Sequence, residues 1–394
     1  SARIIALFFV LATALSACRR VDIVATRIGG PRLRVGDNAW SKMDCPNGSG
    51  AEPAFLHALC VCGDYTAGNE LLTDAVNSNA SDYPALSPGG SVGVNGRIGN
   101  KAVPMKVGGS LLVYGTDGKG ISLSPSASHT DELYIGEDLQ VGGALEGAGC
   151  QVVVEGDARV AGGLDLEELR VGGQLSIPEG EEINVNVHDA VELLREPVQV
   201  DLPCGCDPQD LKDIPAIVSQ AEADNDNAKL DDFDIDLEEL EDYHDPKRLM
   251  LPSGRFFLRR LSGQGKLELD ISGRAALYVF DQVHFGGPVI VRLQEGAELD
   301  LFFAGDLEAN DRLELGSPDK PERVRLYVGG TGAVNLSGAG ESWLYGHLYA
   351  PRAELVTAGP LEVFGSVFAR RVNNDGELEI HYDRNPLEAG RACR

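Results

Sequence analysis

The sequence predicts an all-β protein, a parallel β-helix (β-solenoid) with a rung period of about 17–19 and a small acidic helical insertion. Three observations predict it. Glycine is abundant, 48 of 394 residues, about 12% against a usual ~7%, and follows no Gly-X-Y period. A short pattern of aliphatic residues recurs along most of the chain. One acidic stretch with helix punctuation interrupts that pattern.

The recurrence is clearest in the first half. Val107, Leu111 and Val113 align with Ile135, Leu139 and Val141, then with Val154, Ala158 and Val160, then with Val171, Leu175 and Ile177. Successive starts are offset by 28, 19 and 17, the extra length of the first interval being a turn-rich outgrowth. Alternation of period two within each unit means short strands, and the glycines mark tight bends. In the second half Leu344 and Leu348 are echoed by Val363 and Val367, again at an offset of 19, with looser copies at Val279 and Phe303. Such spacing suits stacked parallel rungs. A sandwich calls for hairpin turns, and Asn95-Gly96 is isolated; a doubly wound fold calls for helices that glycine-rich spacers cannot supply.

Taken in order, residues 1–17 read as a signal peptide. The apolar run 4–15 is too short to span a bilayer. The Leu15-Ser16-Ala17-Cys18 motif that ends it resembles a bacterial lipobox, which implies acylation of Cys18, with Arg19 rather than aspartate next to it pointing to the outer membrane. Residues 18–50 read as a lipidated tether, 51–200 as an N-terminal region and first solenoid half, 201–250 as the insertion, 251–386 as the second half and 387–394 as a tail. Between 207 and 245, fifteen acidic side chains face only Lys212 and Lys229. Asp213 as N-cap, Pro215 in the first turn and Ile214, Ile217, Val218 and Ala221 on one face predict an amphipathic helix packed on the solenoid.

Export places the cysteines in an oxidising compartment. Apart from Cys18 there are seven, an odd number. The pairs Cys60/Cys62 and Cys204/Cys206 are spaced too tightly for ordinary zinc ligation, so cross-bridging between them is the leading expectation, with a metal site as the alternative. Bridges would close loops of about 140 residues, worth roughly 3–5 kcal/mol on the chain-entropy model.

Function is less legible. A formal charge of −27 with no basic patch excludes nucleic acid as a partner. Tyr345 and Tyr349 point opposite to Leu344 and Leu348, and Phe364 and Phe368 fall in the same columns one rung later. An aromatic outer wall needs cover, expected from the insertion or a terminal segment, with a glycan-binding platform or a protein interface as alternatives. Asp224, Asp226, Asp231 and Asp232 offer hard oxygens suited to calcium, but neither register completes an EF-hand, so a solvated acidic turn is the bland reading. Gly89 to Gly93 matches G-x-S-x-G without the strand-to-helix elbow it requires. The histidines, including His347 and His381, form no metal-ligand pair in sequence. Asp138, Asp157 and Asp306 are candidate wall carboxylates of a polysaccharide-active β-helix, although a turn preference accounts for the first two equally well.

Leu348 to Ala353, the echo at Val363 and the terminal Ile380, His381, Tyr382 and Asp383 resemble a C-terminal β-helical domain of unknown function in bacterial exported proteins, some of them pilus-associated, over roughly residues 250–386. Residues 107–177 are more distantly similar to bactofilins, which polymerise through β-helical cores. Neither resemblance implies a catalytic residue. The expected function is a lipid-anchored, non-catalytic structural or adhesive module of the cell envelope, with a protein or surface polysaccharide as its partner. The alternatives are a polysaccharide lyase or glycoside hydrolase, recognisable by paired carboxylates beside open aromatics, and a calcium-dependent adhesion module.

Overall fold

The computed structural model describes residues 55–384, apart from 79, 81–85, 102, 126–131, 189 and 191. Residues 1–54, on which the signal-peptide, Cys18 and tether expectations fall and which include Cys45, lie outside the described residues, as does Cys393. Among the described residues, 31 strands form one sheet system that coils on itself with parallel pairing from rung to rung. Each full rung lays one short segment on each of three walls.

The repeat read from the sequence is the register of this coil. Val107 pairs with Ile135, Ile135 with Val154 and Val154 with Val171. On the adjoining wall Leu111, Leu139, Ala158 and Leu175 stand in one column, and Leu344 and Leu348 pair with Val363 and Val367. All these side chains point inward and are almost fully buried, each worth about 1.5–3 kcal/mol for the larger aliphatics. Glycine holds the corners. A Cβ at Gly142 would collide with the Tyr114 carbonyl oxygen, and one at Gly172 with that of Glu155, so only a bare backbone lets successive rungs settle this closely.

Rung length varies more than the even spacing of the sequence repeat predicts. Along the wall carrying Leu59, Val92, Leu111, Leu139, Ala158 and Leu175, successive partners are offset by 33, 19, 28, 19 and 17 in the chain. In the second half the offsets between Leu267, Val289 and Leu313 are 22 and 24. The surplus lies partly between strands and, in the second half, partly in longer wall strands of five or six residues such as Leu267–Ile271 and Glu298–Phe303; the register survives because it is set wall by wall.

The two halves do not stack in chain order. The strand Leu378–Asp383 on the first wall, Leu59–Val61 on the second and Tyr65–Ala67 on the third all pair with Leu361–Asn374. The last described strand and the first two therefore share one rung. Leu71–Val76 then lies on Leu378–Asp383 and starts the next. The first half grows away from this shared rung on one side, and the second half occupies the other. The chain leaves the outer end of the first half after Glu192–Arg195 and begins the second half at Lys247–Leu251, at the opposite end of the rod.

The acidic segment is this return path. Its helix Ile214–Ala223 starts at Asp213, whose side chain accepts from the Ala216 N–H at 3.2 Å, and buries Ile214, Val218 and Ala221. Two 3₁₀ turns, Asn227–Phe233 and Leu237–Leu240, then close over the terminal rung. Asn227 exchanges two hydrogen bonds with the backbone of Phe257, at 2.7 and 2.9 Å. Asp226 accepts from the Arg255 N–H at 2.9 Å, and the Tyr243 N–H donates to the Ser262 carbonyl at 3.1 Å. These contacts supply partners for backbone groups that an end rung would leave open.

Candidate functional site

The outer face of the second wall carries a ladder of rings. Phe257, Tyr278, Phe302, Tyr327, Tyr349 and Phe368 occupy one register column, which continues into Cys60 and Gly93. Phe302 stacks between Tyr278 and Tyr327, with centroids 5.0 and 4.6 Å away. Tyr349 and Phe368, singled out by the sequence, belong to this ladder and are buried. Tyr278, Phe302 and Tyr327 are hidden from a periodic reading because their chain offsets of 24 and 25 depart from the echo at 19.

The return path covers this ladder. Cys204 bonds to Cys60, and Cys206 to Cys62. The Lys212 N–H donates to the Tyr349 hydroxyl at 3.1 Å, and its ammonium stands 6.0 Å from the Tyr327 ring. Phe55 also contributes, stacking on His347 at 4.9 Å and meeting Tyr349 edge-on. These aromatics are structural surface hidden by the chain's own insertion.

Tyr345 and Phe364 are different. They pair on the first wall, 5.3 Å apart, and remain half-exposed. The column continues to His381, whose ring lies 4.5 Å from Phe364, and then to Asp74. Alongside runs a second column of Trp343, Glu362 and Glu379. Three polar groups converge on His381, which is buried with 5% of its side chain exposed. Nδ1 lies 2.7 Å from Asp74 Oδ1, and Nε2 lies 3.1 Å from Glu362 Oε1 and 3.7 Å from Glu379 Oε2. The other Glu362 oxygen accepts from the Trp343 indole at 2.8 Å. The sequence points to His381 and the rings but not to Glu362, Glu379 and Asp74, since only the shared rung brings residue 74 beside residue 381.

Burial alone would depress His381, but hydrogen bonds and charge from Asp74 and Glu362 outweigh it and raise its pKa to about 9. The hydrogen bond from His381 holds Glu362 below the usual carboxylate range despite burial. Glu379 is pushed up, first by burial and then by the negative charges of Glu362 and Glu377, against the pull of His381. His347, whose Nδ1 lies 2.8 Å from the Ser366 hydroxyl, is depressed to about 4 by burial and by Arg325 nearby.

The other candidates hold local hydrogen bonds and ion pairs. Asp138 accepts from the Asp157 N–H at 2.9 Å, Asp157 from the Gln174 N–H at 2.8 Å and Asp306 from the Gly332 N–H at 2.9 Å. Each spends an oxygen on the corner of the next rung. Ser91, in the G-x-S-x-G match, accepts from the Ser110 N–H in the same way. Asp224 pairs with Arg255 at 2.7 Å, and Asp226 caps a strand, while Asp231 lines an open groove of about 920 Å³ with Phe233, Glu239, Arg248 and Met250. Asp224, Asp226, Asp231 and Asp232, the expected calcium ligands, do not supply three ligand atoms within 4.8 Å of one another. Among the described residues, the grouping with metal-ligand atoms within 4.8 Å of one another is Glu362, Glu379 and His381. Among the described residues no helix is long and apolar enough to cross a membrane.

Comparison with known proteins gives one family match, to a Domain of unknown function (DUF7305), over residues 206–388. No curated protein and no solved structure matches. The match takes in the return path from Cys206, the whole second half and three members of the His381 cluster, leaving Asp74 outside. The C-terminal part of this chain is thus covered by DUF7305, a domain of unknown function.

Proposed function

We propose that this protein is a lipid-anchored rod of the bacterial cell envelope, a structural or adhesive module with no chemistry of its own. The observation that carries this reading is the cover over the aromatic ladder. The aromatic wall that would suit a ligand is instead buried under a return path fixed by two disulfides, so the ladder braces the rod and offers no open binding face. The disulfides accord with an oxidising compartment outside the cytoplasm, and acylation of Cys18 would supply the membrane attachment.

A polysaccharide-active enzyme is the second reading, favoured by Glu362 and Glu379 beside half-exposed Tyr345 and Phe364. Against it, these carboxylates reach the same imidazole nitrogen instead of flanking a sugar-sized gap, and one is also held by Trp343. Two measurements test the proposal. Cys18→Ala should move the protein from the membrane fraction to the soluble fraction. Incubation of the full chain with envelope polysaccharides should release no new reducing or unsaturated ends. Release that disappears in Glu362→Gln would replace the scaffold with the enzyme.

A further inference from the structure

We propose that Glu362, Glu379 and His381 bind a divalent transition-metal ion of the zinc class, with Asp74 as the residue that orients the imidazole. The reading is independent of the rod function proposed above.

The donor atoms have the right spacing. Tetrahedral ligands about 2.1 Å from zinc stand roughly 3.4 Å from one another. His381 Nε2 lies 3.1 Å from a Glu362 oxygen and 3.7 Å from a Glu379 oxygen, and all three atoms fall within 4.8 Å of one another. The two glutamates stand in direct register on adjacent strands, so the sheet itself sets their separation. A site carried on packed strands keeps its geometry better than one carried on loops.

The imidazole is aimed. Asp74 engages Nδ1 at 2.7 Å, which leaves Nε2 facing the two glutamates. A carboxylate behind a histidine ligand fixes ring orientation and raises basicity, the usual outer-shell arrangement of zinc sites. Burial of the ring against Phe364 removes its remaining freedom.

Charge also calls for a cation. Three carboxylates surround one imidazole, and two of them lie directly opposite each other, a destabilising arrangement for like charges. Among the described residues, the ion pairs of Glu362 and Glu379 run to His381 alone. One imidazole with two carboxylates suits zinc, and manganese less tightly, whereas calcium prefers an all-oxygen set. Binding exchanges the Nε2 proton for the metal, and that proton passes to the buffer. Three protein ligands leave a position for water.

The test is calorimetric titration of the chelator-treated full chain with ZnCl₂, compared with CaCl₂. Wild type should bind about one equivalent of zinc and bind calcium at least tenfold more weakly. Glu379→Gln is the main variant because its side chain is partly exposed and its melting temperature without metal should match wild type. It should weaken zinc binding at least tenfold, and Asp74→Asn by about 10–100-fold. Should Glu379→Gln melt early, Glu379→Asp replaces it under the same criterion. Zinc binding unchanged in the variants, or no saturable zinc binding below 1 mM in wild type, would overturn the site.

Discussion

Cys60 lies in register with Phe368, although one stands near the start and the other near the end of the described chain. That pairing joins two runs of rungs into one rod. It also sets Cys60 at the foot of the aromatic ladder, where Cys204 reaches it and ties down the return path. Topology, cover and covalent closure therefore meet at one position.

The bridges should matter to stability. Each closes a separation of 144 residues, for which chain entropy predicts about 3–5 kcal/mol, and the second adds less because it closes nearly the same loop. Urea denaturation with and without reductant should show a loss of this order. An unchanged midpoint would mean that the return path docks without covalent help.

The two aromatic columns should respond differently. Phe302→Ala, in the covered ladder, should cost about 3–5 kcal/mol. Phe364→Ala, on the half-exposed column, should cost clearly less. Equal losses in chemical denaturation would contradict the division of the wall into covered and open parts.

Stability should fall on mild acidification. His347 is buried and held near 4, below the 6.5 of an exposed imidazole, so the unfolded chain takes up the proton first. The penalty is absent above pH 6.5, grows as pH drops and is complete near pH 4, at about 3 kcal/mol. His347→Gln should flatten the slope of unfolding free energy against pH between 4 and 6.5. A slope that persists unchanged would assign the acid sensitivity to other groups.

The cap over the terminal rung is also open to test. Asn227→Ala would free the N–H and C=O of Phe257, with an expected cost of roughly 1–3 kcal/mol. An exposed strand edge invites pairing, so light scattering should rise with protein concentration. A variant as stable and monodisperse as the parent would show that the side-chain cap is dispensable.

Much of the fold is legible because a solenoid writes its register into the chain. Val107, Ile135, Val154 and Val171 align in sequence for the same reason that they stack in space. The helix at Ile214 and the cross-bridged cysteines are legible through capping chemistry and spacing. The stacking order of the halves is not. Every rung offers the same inward Leu and Val, so nothing local says which rung rests on which. The His381 cluster is hidden for the same reason, since Asp74 reaches His381 only through the shared rung. The ladder members Tyr278, Phe302 and Tyr327 are obscured by uneven rung lengths, which come from longer strands as well as longer corners.

The most direct test of the account is the distance between Arg170 and Arg248, two exposed residues on the first wall. Register connects them through Glu268, Ile290, Glu314, Trp343, Glu362, Glu379, Leu72, Lys106, Tyr134 and Val153. Eleven rung steps at ~4.8 Å place them about 53 Å apart. Pulsed electron spin resonance between labels at these two sites, attached through unnatural amino acids, should give a narrow distribution near that value. A distance of roughly 10–20 Å, as expected were the second half to continue directly from the end of the first, would contradict the shared rung and the rod built on it.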